Sequence, residues 1–301
     1  MGLKSLDYRK RMFRTIDTIV AVAVSSAAVV LVVYLVVGRW GLDGEYMVRR
    51  FPAYFLAAMT NLYYTGVAFG IGLLVGLLIG WVRAARATPL DKVLRDARKV
   101  NDASFPTKAF VGFGARYLLR RTGDAFVSLI RGTPLFVQIM FAAAILRIQY
   151  PQLNPLLIGV IAGFMALTLN TAGYQSEIFR AGFQTVHSGQ VEAARAIGFS
   201  RSAAMRYVVL PQALRLVIPP LTNEFIGLLK ASSLLLIIGI VELTLFGRRE
   251  AFNFFVVFES FALVTGIYLL LTVPVSKVVE WIERRYRIPG LGIQPGTVSR
   301  A

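Results

Sequence analysis

The sequence predicts an all-α integral membrane protein of about six transmembrane helices, and three observations lead to that class. Uncharged apolar runs near the ~20 residues that a helix needs to cross a bilayer recur along the chain, which is 56% hydrophobic with a mean hydropathy of +0.63. Basic residues are segregated between alternate connections. Inside the runs, glycines recur four apart, a spacing that lets membrane helices approach closely.

The predicted spans run from Thr18 to Val37, Tyr54 to Val82, Phe126 to Leu146, Leu156 to Ala181, Gln212 to Ile240 and Phe254 to Ile282. The first follows Lys4, Arg9, Lys10, Arg11 and Arg14, as a signal peptide would, but its apolar stretch is long and GRWGLDGEY after it offers no small-x-small cleavage site. It reads as a retained anchor. The second carries Gly66 and Gly70 on one stripe and Gly72, Gly76 and Gly80 on a neighbouring one; Gly159 and Gly163 repeat the spacing in the fourth. Packing within the chain is the favoured reading of both sets. Between the second and third spans, Asp91 to Val100 can form a short amphipathic helix on the membrane surface, and Asn101 to Thr107 is loop-like. In the fifth span Pro219-Pro220 should interrupt the ladder and bend the helix.

The formal charge of +17 follows topology. The N-terminal tail, the connection from Arg83 to Arg131, the loop holding Arg195, Arg201 and Arg206, and the tail with Arg284, Arg285 and Arg287 fall on one side if the spans alternate. Opposite loops are balanced: Arg39, Arg49 and Arg50 stand with Asp43 and Glu45, and Arg248 and Arg249 with Glu242 and Glu250. The positive-inside rule then places both termini in the cytoplasm, and the basic clusters suit anionic membrane lipid. No nucleic-acid partner is expected, because no reading motif accompanies the charge. With no cysteine and a single histidine, His187, no metal site is expected. The phosphate-loop string G-x-x-x-x-G-K-[ST] is missing, as are H-E-x-x-H and G-x-S-x-G, so no nucleotide site or catalytic constellation can be named.

Between the fourth and fifth spans lies GQVEAARAIGFSRSAAMRYVVLP, Gly189 to Pro211. Gly189 and Gly198 bracket a run of helix formers that includes Glu192, Ala193 and Ala194. Adjacent alanines let another protein surface come close to the backbone, and Gly198 permits the left-handed turn that ends a helix. The segment resembles the EAA loop of ABC-importer permeases. RGTPLFVQ (Arg131 to Gln138) resembles the polar-amino-acid branch of that family, as do NTAGYQSEIFRAGFQTVHSGQ from Asn170, the Leu210-Pro211-Gln212 and Ile218-Pro219-Pro220 elements, Lys230-Ala231-Ser232-Ser233-Leu234, and Glu242-Leu243-Thr244.

The resemblance implies a type I ABC-importer permease core of five spans over residues 54–288, with a cytoplasmic insertion at 84–125 and a coupling loop at 183–210. Residues 1–53 add a basic tail, one extra N-terminal span and an external loop, and 289–301 form a cytoplasmic tail. It implies a multi-pass protein of a prokaryotic plasma (inner) membrane that is not itself an enzyme and binds no cofactor, with ATP and Mg held by a dimer of partner ATPase subunits. The other implied partners are a second permease subunit, identical or homologous, and an extracytoplasmic amino-acid-binding protein. Gly189, Glu192, Ala193, Ala194 and Gly198 are the coupling residues it points to. Ionisable groups within spans need partners or water, so Asn170, Glu177, Asn223, Glu224, Lys230 and Ser233 are candidates for a substrate path or gate, with helix-helix pairing the favoured reading for Glu177. The competing function is a stand-alone secondary transporter or channel that uses Glu177, Glu224 and Lys230 as a relay.

Overall fold

The computed structural model describes residues 42–84, 107–185 and 188–286. The span from Thr18 to Val37, the surface helix at Asp91 to Val100, His187 and the tail 289–301 lie outside the described residues. Every regular element among the described residues is helical: α1 (Gly44–Ala84), α2 (Thr107–Gly132), α3 (Leu135–Gln149), α4 (Pro155–Thr185), α5 (Ser188–Ala196), α6 (Arg201–Ala204), a π turn (Met205–Val209), α7 (Leu210–Ala231), a 3-10 segment (Ser232–Ile238), α8 (Leu243–Phe254) and α9 (Val257–Tyr286). Four helical stretches are long and apolar enough to cross a membrane, and the bent pair α2–α3 makes five. Four spans, or five with the bent pair counted as one, are in keeping with the expected core of five.

The helix of the second span begins at Gly44, ten residues before the expected start at Tyr54. Asp43 caps it by accepting the Tyr46 N–H at 2.8 Å. Its first turns looked loop-like because they hold Arg49, Arg50 and Pro52, yet Arg50 is neutralised by Glu250 of α8 at 2.5 Å. The expected third span, Phe126 to Leu146, is corrected more strongly. It is two helices meeting at 107° between Gly132 and Leu135. Pro134 is extended (φ −64°, ψ 139°) and has no N–H to continue the ladder, so the chain turns there.

The fifth span departs from expectation in the opposite sense. Helix α7 runs through Pro219 and Pro220 without a break. These prolines remove two donors, but the turn around them persists, and Thr222 Oγ1 donates to the Ile218 carbonyl at 2.9 Å. The irregularities flank α7 instead. Leu210 N–H reaches back five residues to the Met205 carbonyl, a widening that accommodates the ring of Pro211, which would clash with the carbonyl four residues before it. At the other end the 3-10 segment stops at Gly239, whose φ of +81° is left-handed.

Two apolar clusters hold the bundle. One joins α1, α3, α4, α7 and the 3-10 segment through Tyr64, Ile139, Leu167, Leu228 and Leu235. The other, nearer the start of α1, packs Tyr54 and Ala58 against Leu243, Leu263 and Ile267 of α8 and α9. Helix α1 lies tightly on α4 through Gly72, Gly76 and Gly80. A Cβ at Gly76 would stand 2.8 Å from Gln175 Cβ and 3.0 Å from the Ala172 carbonyl, and one at Gly80 would stand 2.7 Å from the Ser176 carbonyl. Gly159 and Gly163 likewise accept the 3-10 segment. For Gly66 and Gly70, nothing among the described residues comes within 4 Å of a Cβ built on either. They sit on a neighbouring stripe of α1 that does not face α4.

Gly76→Leu is therefore expected to lower thermal stability in detergent, by about 1–3 kcal/mol as overpacking does, while Gly70→Leu stays within about 0.5 kcal/mol. Melting curves followed by size-exclusion chromatography check the pair.

Candidate functional site

The break between α2 and α3 opens a cavity of about 460 Å³. Arg131, Thr133 and Pro134 of the break line one wall; Asn170 and Tyr174 of α4 and Glu224 and Gly227 of α7 line the others. Gln138 holds the break in shape. Its amide donates to the carbonyls of Ile130 at 2.8 Å and Thr133 at 3.1 Å and to Thr133 Oγ1 at 2.9 Å, while its carbonyl oxygen accepts from Asn170 at 3.0 Å. Carbonyls freed by Pro134 thus find a partner inside the span. The Arg131 guanidinium lies over the Tyr174 ring at 5.3 Å, and Thr171 Oγ1 donates to Glu224 at 3.1 Å. One carboxylate, one guanidinium, a phenol and an amide converge on a single hollow near the middle of α4 and the C-terminal third of α7.

Of the six candidate path residues, only Asn170 and Glu224 line this hollow. Asn223 and Lys230 are exposed on α7, and Ser233 is half-buried in the 3-10 segment. Glu177 is committed elsewhere: Arg83 Nη1 reaches it at 2.8 Å and Arg180 pairs with it from one turn along α4. Arg83, buried at 9% exposure, also binds Asp124 of α2 at 2.7 Å. Glu177 thus ties α4 to α1, and a relay through Glu177, Glu224 and Lys230 is not favoured, because the three do not share one hollow. Arg131 and Thr133, which stand in the sequence within the RGTPLFVQ resemblance and not among the candidate path residues, line the hollow as well.

A second polar cluster escaped the sequence reading. Asn61, Ser232 and Glu242 are fully buried. The Asn61 amide donates to Ser232 Oγ at 2.8 Å, to Glu242 at 3.1 Å and to Tyr268 Oη at 3.1 Å. Glu242 caps α8 by accepting the N–H groups of Thr244 at 2.8 Å and Leu245 at 2.7 Å. The knot ties α1, the 3-10 segment, α8 and α9 together.

At the opposite end of the bundle α5 closes in two bonds: Gly198 N–H to the Arg195 carbonyl at 3.1 Å and Phe199 N–H to the Ala194 carbonyl at 3.0 Å. With Gly198 at φ +93° this is a Schellman turn. Ser200 then caps the next helix, accepting the Ala203 N–H at 3.1 Å. Glu192 and Ala193 are exposed, whereas Ala194 is buried at 5% exposure, so the adjacent alanines do not both face outward. Gln212 Nε2 of α7 donates to Gln190 Oε1 of α5 at 2.5 Å, joining the short helix to the span it precedes.

Residues 109–288, more than half of the chain, match the model of the family described as the binding-protein-dependent transport system inner membrane component. The chain belongs to that family. It is a membrane-spanning permease component of a transporter. The probable glutamine ABC transporter permease protein GlnM of Bacillus subtilis is 40% identical over 167 residues, 56% of this chain and 76% of that protein. The glutamine transport system permease protein GlnP of Escherichia coli K12 is 36% identical over 163 residues, 54% and 74% of the two chains. A solved amino acid ABC transporter with histidines superposes with a TM-score of 0.65 at 31% identity, covering 81% of this permease and 99% of that chain. The inward-facing MetNI methionine ABC transporter, at 19% identity and a TM-score of 0.52, shares the fold.

Glu242→Ala in the permease is expected to lower its stability by about 2–4 kcal/mol, because two buried N–H groups and the Asn61 amide lose their acceptor. Thermal denaturation beside Glu250→Ala, which removes the acceptor of part-exposed Arg50 and of the Tyr46 hydroxyl but of no backbone N–H, checks that the cost belongs to the knot.

Proposed function

We propose that this permease imports polar amino acids, driven by ATP hydrolysis in a separate ATPase dimer and supplied by an extracytoplasmic binding protein. The observation that carries the reading is α5: a short helix with Glu192 and Ala193 exposed, closed by a Schellman turn and hydrogen-bonded to the foot of a span. A rigid helix presented this way gives a motor subunit something to push. Gly189, Glu192, Ala193 and Gly198 form its outward edge, and Ala194 positions it from within. ATP shifts the permease between inward- and outward-facing states through contacts that differ between them. The basic ends of the spans support a cytoplasmic location for α5 and both termini, in a prokaryotic inner membrane. A second permease subunit completes the pathway.

The cavity chemistry supports the substrate class. A zwitterion offers a carboxylate to Arg131 and an ammonium to Glu224, and Asn170, Tyr174 and Thr133 can hydrogen-bond a polar side chain. The amino-acid relatives at 36–40% identity point the same way. ATP-dependent uptake in proteoliposomes holding permease, ATPase and binding protein, scanned over labelled amino acids, tests the whole reading. Accumulation that requires all three and stops with a non-hydrolysable nucleotide is the expected result; uptake by the permease alone under an ion gradient refutes it.

Two substitutions separate the parts. Gly198→Trp, which forces a bulky residue into φ +93°, is expected to abolish uptake while membrane insertion is retained, seen as normal yield and a monodisperse elution profile. Glu224→Gln is expected to weaken substrate binding at least tenfold, about 1.4 kcal/mol for a charge-assisted bond, read as a raised concentration for half-maximal uptake with ATPase docking unchanged.

A further inference from the structure

Helix α2 carries a surface that neither the cavity nor α5 accounts for. Because α3 returns directly into α4 through residues 150–154, the two form an antiparallel pair across the membrane. The 107° bend turns α2 roughly at right angles to α3, so with α3 along the membrane normal α2 runs close to the bilayer plane. The Arg83–Asp124 and Arg83–Glu177 pairs fix its depth, at the end of α1 and near the end of α4. One face, with Val127 and Ile130, is buried against the bundle. The other is open and apolar: Leu118 and Leu129 are 67% and 66% exposed, and helical spacing puts both on one face with Ala125. Along its flank Arg121 stacks on Tyr117 at 5.4 Å and donates through Nε to the phenol at 3.2 Å. An apolar ridge beside a basic, aromatic flank, lying at the depth where the spans end, fits an anionic headgroup layer.

We infer that the stretch Tyr117–Gly132 is an in-plane helix seated in the cytoplasmic leaflet, where Arg121 and Tyr117 hold the phosphodiester of an anionic phospholipid. The side of the membrane rests on the orientation given under the proposed function. Leu118 and Leu129 enter the upper acyl region, and the guanidinium, braced by the ring, faces the headgroup phosphate.

The chain has no cysteine, so Leu118→Cys and Leu129→Cys each provide a single labelling site. A polarity-sensitive fluorophore on either is expected to be quenched by lipids spin-labelled near the headgroup and to be shielded from aqueous iodide. In vesicles of phosphatidylglycerol and phosphatidylcholine, native mass spectrometry should find phosphatidylglycerol retained in preference. Arg121→Gln should cut that preference at least twofold, and Arg121→Lys should keep part of it. Probes open to iodide and untouched by lipid labels would overturn the proposal. A Leu118→Cys disulfide between two copies would overturn it too and give the face to a second subunit. Equal retention of both lipids in the parent and in Arg121→Gln would remove the specific headgroup contact. Labelling of Leu118→Cys by an impermeant maleimide from the outer side alone, with lipid quenching intact, would overturn the orientation and the leaflet assignment together.

Discussion

Helix α1 rests on α4 along a groove that exists because Gly72, Gly76 and Gly80 have no Cβ, and the geometry at the foot of the bundle depends on that approach. With backbones this close, Arg83 at the foot of α1 reaches Glu177 and Ser176 on α4 and Asp124 on α2. Those bonds fix the height of α2. Its end at Gly132 then meets α3 beside Asn170, where the cavity opens. A methyl group on the groove would push α4 away and would lengthen every one of those contacts. In a bilayer, where apolar burial between helices gains little over lipid, close van der Waals packing of this kind is the main source of association.

Most of the polar interior meets a second demand, that buried donors and acceptors be matched within the protein, although Thr65 Oγ1 and Gln175 Oε1 find no partner among the described residues. Three arrangements meet it in different ways. Gln138 serves the carbonyls freed at Pro134, Glu242 serves the first N–H groups of α8, and Arg83 gathers two carboxylates at a helix end. Each stabilises an interruption in regular structure. The irregular places are therefore as well determined as the helices, and the cavity is one of them.

Much of this was legible beforehand, for identifiable reasons. Span positions follow from apolar length, and the close approach of Gly72, Gly76 and Gly80 follows from their spacing. Gly198 announced its left-handed turn through its place after a run of helix formers. Other features depend on partners far away in sequence. Asn61 and Glu242 are 181 residues apart, and no local pattern pairs them. Arg50 looked like a loop charge because Glu250, its partner, stands 200 positions on. Gly66-Gly70 and Gly72-Gly76 obey the same spacing, yet only the second pair faces α4; which stripe packs is decided by the neighbour and not by the stripe. Pro134 breaks the chain and Pro219-Pro220 does not. A proline removes a bond wherever it stands, but whether the axis turns depends on what the surroundings offer to the freed groups.

The length of α1 has a consequence for the choice of membrane. Forty-one residues at ~1.5 Å each make a rod of roughly 60 Å, twice the ~30 Å of hydrocarbon it must cross. Its foot is held by the Arg83 cluster, so the surplus stands at the other end, sheathed by α8 and the start of α9. There the boundary between lipid and water can rise or fall by several ångströms without uncovering a backbone group, since the helix simply continues. Hydrophobic mismatch, which sorts many membrane proteins by bilayer thickness, is thus absorbed at one face alone. The face that bears α5 keeps its level, and a thicker or thinner lipid mixture leaves it undisturbed.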